Sequence, residues 1–129
     1  MIVRTIEEVL NSKHNVEADN WASRRFLVKK NGMGFSLSET TIYAGSETEI
    51  WYKNHFEACY CVEGEGEVEV LEPERAIFPI RPRSIYALDK HDKHILRART
   101  DMRLICVFHP ALTGEEVHDA DGSYPLSSY

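Results

Sequence analysis

The sequence predicts an all-β fold with one short N-terminal helix. Short β-rich or alternating runs recur between turn residues, no helical period is sustained beyond the N-terminal stretch, and the turn signals fall at the spacing that a sandwich or barrel requires. Ile2 to Arg4 reads as a short strand. Thr5 and Glu8 then stand in capping-box spacing ahead of Val9 and Leu10, which predicts the helix. Strands are predicted at Arg25 to Val28, Gly34 to Ala44, Ala58 to Val62, Glu67 to Leu71, Ser84 to Leu88, His94 to Ala98 and Met102 to Phe108. Between them, Lys30-Asn31-Gly32 is a hairpin signal, Gly64 and Gly66 punctuate the run from Val62 to Val68, and Arg81-Pro82-Arg83 opens a strand. From Pro110 onward the chain is polar and turn-rich, so residues 110–129 are expected to form a tail that lies over the body rather than inside it.

The length of 129 residues suits one well-buried core, and a single domain over residues 1–129 is expected. With 43% apolar and 28% charged residues the composition is that of a folded globular chain. The net charge of -6 comes without any basic stripe interleaved with aromatics, which argues against a nucleic-acid partner. Acids interrupt the N-terminal MIVRTIEEVL where a signal peptide carries its apolar stretch, and no window is long enough to span a bilayer, so a cytoplasmic protein without a membrane partner is expected. Cys59, Cys61 and Cys106 are odd in number and read as buried thiols. A zinc site on Cys59 and Cys61, which share a strand face, is the sharper alternative.

A candidate metal constellation lies in the middle of the chain. Gly45 is followed after five residues by Trp51, then Lys53 and Glu57, and after six more by Gly64. This resembles the first motif of the cupin superfamily, with Trp51 and Lys53 where a His-x-His pair is usual. The fold implied is a double-stranded β-helix, a jelly-roll-like barrel. In the second motif Tyr86 takes the histidine place, three residues after Arg83, where a glycine would be usual. A metal here needs a rebuilt ligand set: Glu57 and Tyr86 offer oxygen, and His94 offers an imidazole from the next strand. Such a set suits a hard-to-borderline divalent ion, iron(II) or another, better than a thiolate-loving one. Taken singly, each has a plainer reading that outweighs the metal role: Glu57 as an ordinary strand acid, Tyr86 as a barrel-wall aromatic and His94 as a surface histidine.

The chain resembles the ectoine synthase family along most of its length. The resemblance is carried by Met1 to Arg4, Asn20 to Arg25, Asn31 to Ser36, Glu39 to Gly45, Asn54 to Ala58, Val62 to Gly66, Tyr86 to His94, and Thr113-Gly114 through His118-Asp119 to Leu126. It implies an iron-dependent lyase in a homodimeric cupin, closing Nγ-acetyl-L-2,4-diaminobutyrate to ectoine, a compatible solute of osmotic stress, with loss of water. The implied metal ligands are Glu57, Tyr86 and His94. The implied substrate-side residues are Trp21, Arg25, Ser38, Thr40, Tyr52, Phe108, Glu116 and His118, with Ser23 and Cys106 nearby. Ser36, Ser38 and Thr40 share one strand face, which is expected to point inward if it lines a site for a zwitterion. Trp51, Lys53 and Glu57 have equal parity, so a bulge is needed to bring Tyr52 to the same side.

Chemically, the α-amine must attack the acetamide carbonyl. A Lewis-acidic ion addresses the poor electrophile, while His118 or Glu116, with Tyr52 next in line, is the candidate base. Arg25 is suited to the α-carboxylate, and Trp21 and Phe108 to walls that hold the substrate folded. The rival reading is a cupin binding module that holds a small zwitterion without turnover.

Overall fold

A computed structural model describes residues 1–126. Helix α1 (Ile6–Leu10) starts where expected, with the Thr5 hydroxyl accepting the Glu8 amide at 3.3 Å. The strands are β1 (Asn15–Glu17), β2 (Trp21–Leu27), β3 (Ser36–Ile42), β4 (Glu47–Ile50), β5 (Phe56–Glu63), β6 (Gly66–Val70), β7 (Ala76–Ile80), β8 (Ile85–Leu88), β9 (His94–Ala98) and β10 (Met102–His109). They form two antiparallel sheets, ordered β1-β2-β3-β10-β5-β8 and β4-β9-β6-β7. Alternation sends Leu104, Cys106 and Phe108 of β10 into the same core as Ile50, Val68, Leu96 and Ala98 of the smaller sheet. The all-β class and the double-sheet architecture are as predicted. Among the described residues, no helix is long and apolar enough to cross a membrane.

Several expectations need correction. Ile2 to Arg4 is not a strand: β1 is the sheet edge, Val3 is exposed, and Arg4 instead donates to the Phe26 carbonyl and, at 3.4 Å, to Asn31 Oδ1. Strands β1, β4 and β7 were not anticipated. All three are edge strands, and their sequences look wrong for a reason that their position explains. The acids of β4 find a cation across the ladder, where Glu47 pairs with Arg97 at 3.0 Å. The proline of β7, Pro79, is tolerated because an edge strand need not donate on its outer side. At the Lys30 hairpin signal the chain makes a 3-10 turn over Lys29–Asn31, closed by Gly32 at φ 75°.

The tail also departs from expectation. Glu115 and Asp121 do lie outside, but Leu112, Ser123 and Tyr124 are buried, so the tail plugs the barrel as well as crossing it. Its path is tied to the loop after β4. The Trp51 amide donates to the Gly122 carbonyl at 3.0 Å, the Lys53 amide to Ser123 Oγ at 3.1 Å, and Asn54 Nδ2 to the Tyr124 carbonyl at 3.0 Å.

Gly64 turns β5 into β6 at φ 88°, and a Cβ there would meet the Asp101 carbonyl oxygen at 2.0 Å. Gly45, at φ 79°, has nothing within 4 Å of the same position. Gly45→Ala should therefore cost about 1 to 2 kcal/mol from the left-handed backbone alone. Gly64→Ala adds a backbone clash and should cost at least about 3 kcal/mol in urea unfolding. Equal losses in the two variants would show that the turn yields freely.

Candidate functional site

The larger sheet carries an unusual inner face. Its register sets Arg25 opposite Ser38, Ser38 opposite Cys106, Cys106 opposite Cys59, and Cys59 opposite Tyr86, in a row across five strands. A neighbouring row sets Ser36 beside Phe108, Phe108 beside Glu57, and Glu57 beside Leu88; another sets Ser23 beside Thr40. Ser23, Arg25, Ser36, Ser38 and Glu57 are all buried, so the polar face of β3 points inward. Buried polar groups are costly unless partnered, and a row of them marks a place built for a ligand.

One cavity gathers most of the expected residues: Trp21, Ser23, Thr40, Tyr52, Glu57, Tyr86, Cys106, Phe108 and His118. It is tight, with a volume of about 30 Å³. Arg25, Ser38, His94 and Glu116 are buried close by. Tyr52 reaches the cavity without a bulge. Residues 51–55 leave the ladder between β4 and β5 and carry the chain from one sheet to the other, so strand parity does not apply to them. Trp51 and Lys53, at the places of the missing histidines, turn away: Lys53 Nζ lies 4.9 Å from the Trp51 ring centroid and pairs with Asp121 at 2.6 Å.

The residues expected as ligands present buried donor atoms of mixed oxygen and nitrogen character. Burial raises the Glu57 carboxyl to about 7, against hydrogen bonds from the Cys59 and Cys106 thiols that lower it. No cation pairs with Glu57 among the described residues. His94 Nδ1 lies 2.9 Å from the Asp92 carbonyl, to which it can only donate, and this leaves a bare Nε2 that is buried without any partner. Burial holds the Tyr86 phenol well above its ordinary range, and its ring centroid is 6.4 Å from that of His94. A carboxylate, a phenol and an imidazole with a free nitrogen fit a divalent cation. Cys61 takes no part. Its thiol donates to the Glu63 and Gly64 carbonyls at 3.4 and 3.6 Å, so a zinc pair on Cys59 and Cys61 does not form.

The tail supplies the other wall. Tyr52 Oη and His118 Nε2 are 2.8 Å apart. Burial first, then the Arg25 charge, lowers His118 to about 4, so the ring is neutral near pH 7. Glu116 behaves differently from a free base. Its carboxylate accepts the Thr113, Gly114 and Glu115 amides at 2.7, 2.9 and 3.1 Å. Burial would raise it, but these backbone donors outweigh burial and hold it below the usual carboxylate range. Arg25 donates to Ser23 Oγ at 3.2 Å and to Tyr124 Oη at 3.4 Å, and its Nη1 faces Glu116 at 3.8 Å without a hydrogen bond.

A family model described as ectoine synthase matches residues 1–128. The L-ectoine synthase of Halalkalibacterium halodurans is 55% identical over 126 residues, covering 98% of this chain and 97% of the relative. The chain belongs to the ectoine synthase family. A crystal structure of ectoine synthase from P. lautus superposes with a TM-score of 0.86 at 55% identity, over 99% of this chain and 94% of the other. A Bacillus subtilis oxalate decarboxylase variant, at 13% identity and a TM-score of 0.66 over 76% of this chain and 28% of the other, shares the fold alone.

In this ectoine synthase family member, Tyr124 is the largest site residue that sequence reasoning missed. It stacks on Tyr52 and on His118 with ring centroids 5.0 and 4.7 Å apart, and Arg25 lies 5.5 Å over its face. The signal was an aromatic inside a turn-rich tail. His55 was also missed; it is fully buried, edge-on to Phe108 at 6.1 Å, with Nδ1 unpartnered. Arg83 stands where a turn glycine is usual in the family, and it does adopt the left-handed conformation, at φ 71°.

The depressed His118 carries a pH signature. The folded ring has a pKa of about 4 against 6.5 for the unfolded one, so its contribution is complete above 6.5 and is lost as pH falls toward about 4. Allowing for partial exposure, the loss should be about 2 kcal/mol. His118→Gln keeps an acceptor for Tyr52 and should lessen by that amount the fall in urea-unfolding stability of the metal-free protein over that interval, while His55 and His94, also lowered by burial, keep their share. Parallel profiles for variant and wild type would refute the assignment.

Proposed function

We propose that this chain is a cytoplasmic, iron(II)-dependent ectoine synthase, a lyase of the hydro-lyase type acting in compatible-solute synthesis. Its substrate is Nγ-acetyl-L-2,4-diaminobutyrate, and it acts as a single cupin domain assembled into a homodimer. The observation that carries the reading is the cavity itself, in which Glu57, paired with no cation, and Tyr86 lie near the Tyr52–His118 pair, with the bare His94 nitrogen buried beside Tyr86. The family relationship supplies the substrate.

A divalent ion held by Glu57, Tyr86 and His94 would supply Lewis acidity toward the acetamide oxygen. The chain's own residues handle shape and protons. Trp21, Phe108 and Tyr124 form aromatic walls that favour a folded substrate, bringing the α-amine to the carbonyl carbon. The C–N bond forms, and the carbonyl oxygen departs as water after taking up both protons that the attacking nitrogen sheds. Neutral His118 can accept a proton from that nitrogen, and Tyr52, hydrogen-bonded to it, can pass one toward the oxygen. Arg25 offers its unbonded Nη1 to the α-carboxylate, while Ser23, Ser38, Thr40 and Cys106 contribute polar contacts. Glu116, committed to backbone amides, acts in this reading by holding the tail turn and neutralising Arg25. Exposed Phe56, Tyr60 and Ile85 on the outer face of the larger sheet support a dimer.

Incubation with Nγ-acetyl-diaminobutyrate, with and without iron(II), should yield the cyclic product only with the metal. Binding without turnover would return the binding-module reading. Glu57→Ala should lose metal and activity together. His118→Ala should retain the metal while kcat falls by about 100-fold or more. Wild-type turnover by His118→Ala would remove the base assignment. Light scattering should report twice the chain mass, and a monomer at micromolar concentration would count against the dimer.

A further inference from the structure

The cross-strand pair of Cys59 and Cys106 brings two thiols within 3.6 Å of each other, and Glu57 is the residue that both address. One ligand atom from each of the three lies within 4.8 Å of the others, and all three residues are buried. Two sulfurs and a carboxylate oxygen at this spacing make a soft donor set, unlike the oxygen-rich set of Glu57 and Tyr86 with His94. We propose that Glu57, Cys59 and Cys106 form a second cation site that takes thiophilic divalent ions and overlaps the iron(II) site through their shared carboxylate. The overlap, though not the thiolate site itself, rests on the ligand set given under Proposed function.

The chemistry sets the conditions. A divalent ion displaces the Cys59 and Cys106 thiol protons to solvent and binds two thiolates and the Glu57 carboxylate. The ion supplies the charge that a buried thiolate otherwise lacks, which makes binding strongly pH-dependent and proton-releasing. Occupation removes Glu57 from the harder site. A thiophilic ion should therefore exclude iron(II) by capture of one ligand, without reaching His94.

Cadmium is the probe. Metal-free protein, held reduced by a phosphine, is titrated with Cd²⁺ while the ultraviolet thiolate-to-metal absorption and proton release are followed. Wild type should bind one equivalent, with the band of two thiolates and loss of iron(II) retention in proportion. Cys59→Ala and Cys106→Ala should each weaken Cd²⁺ binding by more than the roughly 10- to 100-fold typical of losing an outer-shell partner. Cys61→Ala should bind as wild type, and Cys59→Ala should keep iron(II) in the presence of Cd²⁺. Where an alanine variant fails to fold by circular dichroism, the serine variant takes its place. Absence of the band in wild type, its persistence in both Cys59 and Cys106 variants, or joint retention of Cd²⁺ and iron(II) overturns the proposal. A Cys59- and Cys106-dependent band in a protein that never retains iron(II) supports the thiolate site and removes the iron reading instead.

Discussion

The register of β10 is the constraint on which the site depends. This strand lies between β3 and β5, and its inner residues Leu104, Cys106 and Phe108 align the functional side chains on both neighbours. A slip by one residue would turn Arg103, Ile105 and Val107 inward and scatter every row. On the solvent side Arg103 guards against this, reaching Glu39 of β3 at 3.2 Å and Glu63 of β5 at 2.7 Å. Exposed ion pairs of this kind contribute little stability, because water and salt screen them. Their value is in specifying which pairing wins.

The cavity pushes acid and base toward the same neutral state. Burial raises Glu57 to about 7 and lowers His118 to about 4, because a dry site disfavours either charge. His118 is neutral at pH 7, and the Glu57 carboxylate carries a charge that no cation among the described residues offsets. In the proposed mechanism the same desolvation suits His118 to proton transfer and Glu57 to metal capture. Glu116 escapes it only because three backbone amides converge on its carboxylate.

What the sequence made legible was whatever has a fixed period or spacing. Glu57 and Tyr86 were singled out by motif spacing and His94 by its place on the next strand, and the central strands by their alternation. The inward turn of Ser36 and Ser38 was undecidable, since Phe35 and Leu37 offered an equally good apolar face until the partner strands were in place. The edge strands were hidden because β4 is stabilised by ion pairing and β7 carries Pro79. Tyr124 was hidden for another reason. Its burial arises from contacts with residues as distant as Arg25, and no local pattern encodes a contact that depends on tertiary closure.

The insertion of Ser123 and Tyr124 also bears on the order in which the barrel closes. All ten strands precede this segment, so the two sheets can pair before the last wall of the cavity is in place. Until Tyr124 docks, Tyr52 and Arg25 lack the ring that they face, and the inner row of polar residues stands open to water. A barrel with its tail undocked is hydrated inside, and it becomes dry only when Tyr124 closes the wall.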